Sequence, residues 1–343
     1  MKEKKIIIIL IIFFPLISWL FLSLIFGNTN KKFDELALGK ENIIVVNKVD
    51  QQEFLCSSAE NILNCIKFLR NKDFKKKFLW IGNSQLNGVN QGTPNSKIAP
   101  YLVSEYFYKK NIGVIVFAAP NISFQEYSQV ISYFISNIDF DYVILPLVFD
   151  DTRENDIRNN LIKKKQDLIL DKKLSLQEIS EEKIINFLDK NINWTQIRSQ
   201  SQGFVYEFLY VFRNYILNIN PATVRKSIKP IYNKNISSLD QALQKLKNYK
   251  IETIMYVAPI RNDVELPYNL QEYSQFKNTM QNLSKDYSVN FYNLENIIPG
   301  NFWGTKSATK LGVEDEIDFM HFKEEGHSIL ANEMIKIIEN TIK

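Results

Sequence analysis

The chain has 343 residues, a formal net charge of +4 and 45% hydrophobic residues. An aromatic share of 13% excludes a disordered body. The lysines are spread along the whole length among many Asn and Ile, which argues against a nucleic-acid surface and leaves a weak attraction to anionic lipid headgroups or an anionic cell-surface polymer.

The first element is an apolar run at residues 6–26, beginning at Ile6 and ending at Phe26, with no charge in it. At about 1.5 Å of rise per residue, such a helix spans the roughly 30 Å hydrocarbon core of a membrane. Lys2, Lys4 and Lys5 precede the run, so the positive-inside rule predicts a cytoplasmic N-terminus, a single pass through the cell membrane and an extracytoplasmic body. Lys31 and Lys32 behind it pull weakly the other way. A cleaved signal peptide is the competing reading; the length of the run and the lack of a small-x-small site before Gly27 favour an uncleaved anchor over residues 1–30.

Residues 31–77 read as a mixed, partly helical lead-in. Cys56 and Cys65 lie here, close enough in sequence for a local disulfide, although spacing alone does not separate a bridge from two buried thiols. The main domain is expected over 78–343. "KFLWIG" is a strand, "NIGVIVFAAP" a second and "DYVILPLVF" a third, with a helix in "FQEYSQVISYFISNI" between the last two. A helix-rich insert follows at about 152–249, whose Lys-rich stretches read as solvated helix faces. "KIETIMYVAPI" is the fourth strand, "LQEYSQFKNTMQNLSKDY" a helix, "SVNFYNL" the fifth strand and "EEGHSILANEMIKIIENTI" a terminal amphipathic helix.

Short apolar strands alternating with helices predict right-handed crossovers and a mainly parallel sheet covered on both faces, an α/β/α architecture. Ligands on such sheets bind beyond the carboxyl ends of the strands. Ser84, Asn121, Asp151 and Arg261 all follow strand ends of that kind.

"FLWIGNSQLNGVN" runs from the first of these strands into a polar turn at Ser84, with Gly82 expected to let the backbone turn closely beneath a substrate. A serine hydroxyl is a weak nucleophile and needs a base. The only two histidines, His321 and His327, both lie in "DEIDFMHFKEEGHSILANEM". Asp318 stands three residues before His321, close enough within one turn to accept the imidazole Nδ1 proton and hold the tautomer. The six-residue spacing of the histidines does not put two imidazoles on one helix face, so no metal is expected, and no cofactor fingerprint appears.

Gly82-Asn83-Ser84 after the first strand, together with Asp318, His321, Gly326 and a terminal helix, resembles the SGNH (GDSL) hydrolases. The resemblance covers residues 78–343 apart from the insert and implies a three-layer fold with Ser84, Asp318 and His321 as the catalytic triad. The family's Gly after the second strand and G-x-N-D after the third are replaced by "FAAPNISFQEY" and "LVFDDTREND". The oxyanion donors expected here are the Ser84 N–H and Asn121. Asp151, Arg153 and Arg261 are candidates for contacts with substrate, each with a loop-end salt bridge or turn cap as the plainer reading.

With the anchor, the resemblance is to membrane-attached SGNH-like proteins that work beside multipass membrane O-acyltransferases in exopolysaccharide acetylation or teichoic-acid D-alanylation. It implies an acyl-Ser84 intermediate, with a cell-surface glycan or teichoic acid as the partner substrate. The alternative is a non-catalytic glycan-binding or scaffold subunit of a cell-envelope acylation complex, which the altered middle motifs favour and the retained Ser, His and Asp oppose.

Overall fold

A computed structural model describes residues 42–59, 61–155, 157–158, 161, 212–214, 216–217, 223–307 and 315–342. The apolar run at residues 6–26 and most of the expected insert lie outside these residues; among the described residues no helix is long and apolar enough to cross a membrane. The chain divides into two compact units, one made of Lys40–Leu170, Asn220–Ala308 and Val313–Lys343, the other of Met1–Gly39, Asp171–Ile219 and Thr309–Gly312. The elements below all belong to the first.

In chain order they are β1 (Asn42–Ile44), β2 (Leu55–Cys56), α1 (Ile62–Arg70), β3 (Lys76–Gly82), β4 (Gly88–Asn90), α2 (Ala99–Tyr108), β5 (Ile112–Ala118), α3 (Phe124–Ile135), β6 (Tyr142–Leu147), α4 (Lys229–Asn248), β7 (Glu252–Val257), α5 (Leu270–Tyr287), β8 (Asn290–Asn293), β9 (Trp303–Ser307), β10 (Asp315–Phe322) and α6 (Glu324–Thr341). Six strands form one sheet in the order β2-β5-β3-β6-β7-β8, and every pairing in it is parallel. The expected mainly parallel, three-layer α/β arrangement is what the structure has. It adds β2 at one edge, a two-residue strand too short to register as a hydrophobic run.

Strands β5 and β6 are buried along their whole length, and β3 from Phe78 onward, because both faces are covered. On β5, Ser104 of α2 donates to the Val114 carbonyl. Gly113 and Phe117, which share a face of β5, meet α1 and α3: a Cβ on Gly113 would fall 2.5 Å from Leu69 Cδ2 of α1, and Phe117 stacks edge-on with Phe134 of α3. Helix α2 also packs against α6. On the second face α3 packs against α4, the crossover helix within the 152–249 span, and α4 against α5. Ser123 and Glu126 start α3 with a reciprocal capping box.

Two features of the sheet position the site. The chain leaves β3 toward β5 and then crosses back to β6 on the far side, so the carboxyl end of β3 is the switch point at which open α/β sheets bind ligands. In addition, β6 carries Pro146, which has no N–H to give to a ladder. Pairing of β6 with β3 covers only Phe78↔Tyr142 to Trp80↔Ile144, whereas pairing with β7 continues to Leu147↔Val257. The strands therefore part just before Gly82.

Outside the main sheet, β1 pairs antiparallel with β4 and β9 with β10. Neither pair was visible as alternation in the sequence. Cys56 and Cys65 form a disulfide with Cα atoms 6.3 Å apart, tying β2 to α1.

Candidate active site

Between Phe78 and Asn90 every residue is buried except Ser84, which is partly exposed. It opens a short 3-10 turn, Ser84–Leu86, directly after β3. Asn83 builds that turn: its side-chain oxygen accepts from the Gln85 N–H at 3.0 Å, and its amide donates to Asp151 Oδ1 at 3.1 Å. The Ser84 N–H, at the open end of the turn, is used by no hydrogen bond among the described residues. Gly82 stands differently from expectation. It lies in the strand, with Cβ space blocked by Leu86 Cδ1 at 2.5 Å and Pro146 Cγ at 3.0 Å, so the missing side chain accommodates the packing of Leu86 rather than a bend beneath substrate.

The structure brings Ser84, His321 and Asp318 together. Ser84 Oγ lies 3.0 Å from His321 Nε2, across 237 residues of sequence. His321 Nδ1 lies 3.1 Å from Asp318 Oδ2. The Asp–His pair sits on β10, where residues three apart in a regular strand would point to opposite faces. The pairing of β10 with β9 is broken between Ile317 and Phe322. Through this bulge, Asp318 Oδ1 accepts the N–H groups of Met320 at 2.9 Å and His321 at 3.0 Å, folding the strand back on its own side chain.

Asp318 is 2% exposed. Burial alone would raise its pKa, but the charge and hydrogen bond of His321, the Lys306 ammonium and the Met320 N–H outweigh it and hold the carboxyl well below the usual carboxylate range. Oδ2 also accepts from the Asn42 amide at 2.8 Å and, more distantly, from Asn90 at 3.4 Å.

Gln85, which carries no signature in the sequence, and His327 fix this group. Gln85 is 2% exposed and donates to the carbonyls of Pro259 at 2.8 Å and Met320 at 2.9 Å, tying the Ser84 turn both to the end of β7 and to the strand that carries His321. His327 is wholly buried on α6; its Nδ1 accepts the Ala99 N–H at 3.2 Å and its Nε2 lies 3.1 Å from the Gly88 carbonyl, so the proton is on Nε2. Burial pushes this imidazole's pKa down to about 3 against the Gly88 hydrogen bond, and the neighbouring His321 lowers it further.

Among the described residues no hydrogen bond joins the other expected site residues to Ser84 or the His321 imidazole; Asp151 reaches the Ser84 turn through Asn83. Asn121 is exposed on the turn after β5 with φ 48°, and no hydrogen bond among the described residues joins it to the Ser84 turn. Asp151, expected to meet substrate, is 2% exposed and faces inward, accepting from Asn83 and from Tyr127 Oη at 3.2 Å; burial pushes its pKa well above the usual carboxylate range. Arg153 pairs with Asp150 at 3.2 Å and donates to the Lys226 carbonyl. Asp150 in turn holds Arg225 and the Tyr268 hydroxyl. Arg261 is bidentate to Asp263 at 2.8 and 3.1 Å and reaches the Gly304 carbonyl at 2.8 Å, which ties it to β9. Loop-end pairing thus accounts for the contacts of both arginines.

Chemically, the arrangement presents a partly exposed hydroxyl against an imidazole that is oriented by a buried carboxylate. No protein-family model matches the chain, and no curated protein matches it. Among solved structures it is similar to Axe2, an acetylxylan esterase from Geobacillus stearothermophilus, at 10% identity and a TM-score of 0.41, over 77% of this chain and 94% of that one. It is similar to the psychrotrophic esterase EstA from Pseudoalteromonas sp. at 10% identity and a TM-score of 0.43, over 78% and 99% of the two chains. Likeness at this level carries no activity over to this chain.

Proposed function

We propose that the protein is an SGNH-type serine esterase or O-acyltransferase that acts on acyl esters of a cell-surface polysaccharide or teichoic acid. The observation that supports this reading is the continuous contact from Ser84 Oγ to His321 Nε2 at 3.0 Å and from His321 Nδ1 to Asp318 Oδ2 at 3.1 Å. Ser84 Oγ attacks the ester carbonyl while His321 Nε2 takes its proton, and Asp318 stabilises the imidazolium that results. The Ser84 N–H donates to the oxyanion, with Asn121 on the turn after β5 as the second donor. His321 then returns the proton to the leaving alkoxide, leaving an acyl ester on Ser84. Water or a glycan hydroxyl, deprotonated by the same nitrogen, attacks that ester and frees Ser84.

The apolar run at residues 6–26 supports attachment to the cell membrane with the domain outside, beside a multipass membrane O-acyltransferase as acyl source. A fluorophosphonate probe tests the chemistry. Stoichiometric labelling of wild type that disappears in Ser84→Ala supports the reading; an unlabelled wild type that binds envelope glycan supports the scaffold alternative instead. The mass of the adduct on Ser84 after incubation with native envelope identifies the acyl group.

A further inference from the structure

Asp318 Oδ2, the oxygen that faces His321, receives its shortest hydrogen bond from elsewhere: 2.8 Å from the Asn42 amide, against 3.1 Å to His321 Nδ1 and 3.4 Å from Asn90. Asn42 is 276 residues away in the chain and lies outside the six-stranded sheet. It arrives on β1, which among the described residues pairs with β4 alone, in the register Asn42↔Asn90, Ile43↔Val89 and Ile44↔Gly88. The same short ladder therefore brings an amide to the carboxylate and fastens Gly88 beside the imidazole.

The two carboxylate oxygens are held differently. Oδ1 is pinned by backbone N–H groups of its own strand. Among the described residues only side chains reach Oδ2, so the plane of the carboxylate about its Cβ–Cγ bond depends on them. Asn90 is the weaker anchor there: one of its two amide hydrogens goes to the Thr305 carbonyl at 2.7 Å, and the other reaches Oδ2 only at 3.4 Å. Asn42, 8% exposed, is the close donor.

We infer that Asn42 is a positioning residue for the serine–histidine–aspartate relay, acting through Asp318; the inference rests on the catalytic reading proposed above. A donor in this place keeps Oδ2 directed at His321 Nδ1 and keeps the carboxylate anionic, and the residues before the parallel sheet become part of the catalytic apparatus. A role confined to docking β1 would leave His321 unaffected when the amide is removed.

The test uses the full-length chain in detergent micelles, with 4-nitrophenyl acetate as the ester, fluorophosphonate as the label and 15N-histidine NMR as a readout independent of turnover. With only two histidines the spectrum is sparse, and His327→Gln assigns it. In Asn42→Leu, kcat is expected to fall about 10²-fold, the cost typical of a misplaced catalytic group, with KM changed less than about twofold. The His321 Nδ1–H resonance moves and those of His327 stay. Asn42→Asp is isosteric and serves also where the leucine variant does not fold. The groups already facing Asp318 are His321, Lys306, the amides of Asn42 and Asn90 and the N–H groups of Met320 and His321. A second carboxylate among them makes the pair hold a proton to higher pH, so the acid limb of the rate profile moves up and part of the lost rate returns in alkaline buffer. Folded variants with the His321 resonance and the acid limb both at their wild-type positions would overturn the inference. If wild type is neither labelled nor active while the His321 resonance still responds to Asn42, the catalytic reading falls and the positioning of Asp318 by Asn42 stands.

Discussion

Gly88 and His321 touch through the side chain that the glycine lacks: a Cβ at residue 88 would fall 3.0 Å from His321 Cδ2 and 2.8 Å from the Ser84 carbonyl oxygen. One neighbour is the proposed base and the other is backbone of the nucleophile turn, so neither gives way without separating Ser84 Oγ from His321 Nε2. Gly88→Ala should therefore slow fluorophosphonate labelling of Ser84 by about 10²-fold, with a stability loss of about 1–3 kcal/mol from overpacking. Labelling kinetics compared with chemical denaturation separate the two effects; an unchanged labelling rate would remove the contact from the argument.

Gln85→Leu keeps the bulk of the side chain and removes both donated hydrogen bonds. The Pro259 and Met320 carbonyls are then left without their amide partner in a buried place. The expected cost is about 1–3 kcal/mol for each acceptor left unsatisfied. Because Met320 adjoins His321, activity should fall further than stability predicts, which kcat measured well below the melting temperature would show.

The parallel strands could be read from the chain because β3, β5, β6 and β7 are nearly continuous apolar runs with both faces buried. Ser84, Asp318 and His321 stood out because a serine beyond a strand end needs a base and the chain offers two histidines. The local geometry of the Asp–His pair was less legible. One helical turn and one bulged strand both bring residues three apart together, and the bulge is created by pairing with β9. The amides of Asn42, Gln85 and Asn90 gave no signal, since each acts on groups 276, 235 and 228 residues away and an isolated Asn or Gln has no pattern. Asp151 misled for a related reason: an acid after a strand end faces solvent or protein according to its neighbours, here Asn83 and Tyr127.

His327 sets a pH limit on the fold. Its folded pKa of about 3 lies below the unfolded value near 6.5, so below about pH 6.5 the unfolded chain takes up a proton that the native state refuses. Stability from this group is complete above that pH and declines as pH falls toward about 3. A glutamine here can accept from the Ala99 N–H and donate to the Gly88 carbonyl without titrating. Urea midpoints across pH 7 to about 4 should fall more steeply for wild type than for His327→Gln; parallel lines would exclude His327 as the cause.

Asp151 gives the opposite sign. Burial raises its folded pKa above the unfolded one, so the native state retains a proton that the unfolded chain has released, and stability declines as pH rises through that window. Asp151→Asn preserves the shape and cannot ionise. Its melting temperature relative to wild type should be higher at pH 8 than at pH 5, and a constant difference would show that the buried carboxyl does not titrate in that range.

The β1–β4 ladder has only three paired positions, Asn42↔Asn90, Ile43↔Val89 and Ile44↔Gly88. Side chains alternate with a period of two, so a slip of one residue turns every group on a strand to its opposite face. Here a slip of β1 would withdraw an amide from an anionic oxygen and offer the branched hydrocarbon of Ile43 in its place. A registration error of a few ångströms, leaving the large sheet untouched, would silence the proposed chemistry without unfolding the protein.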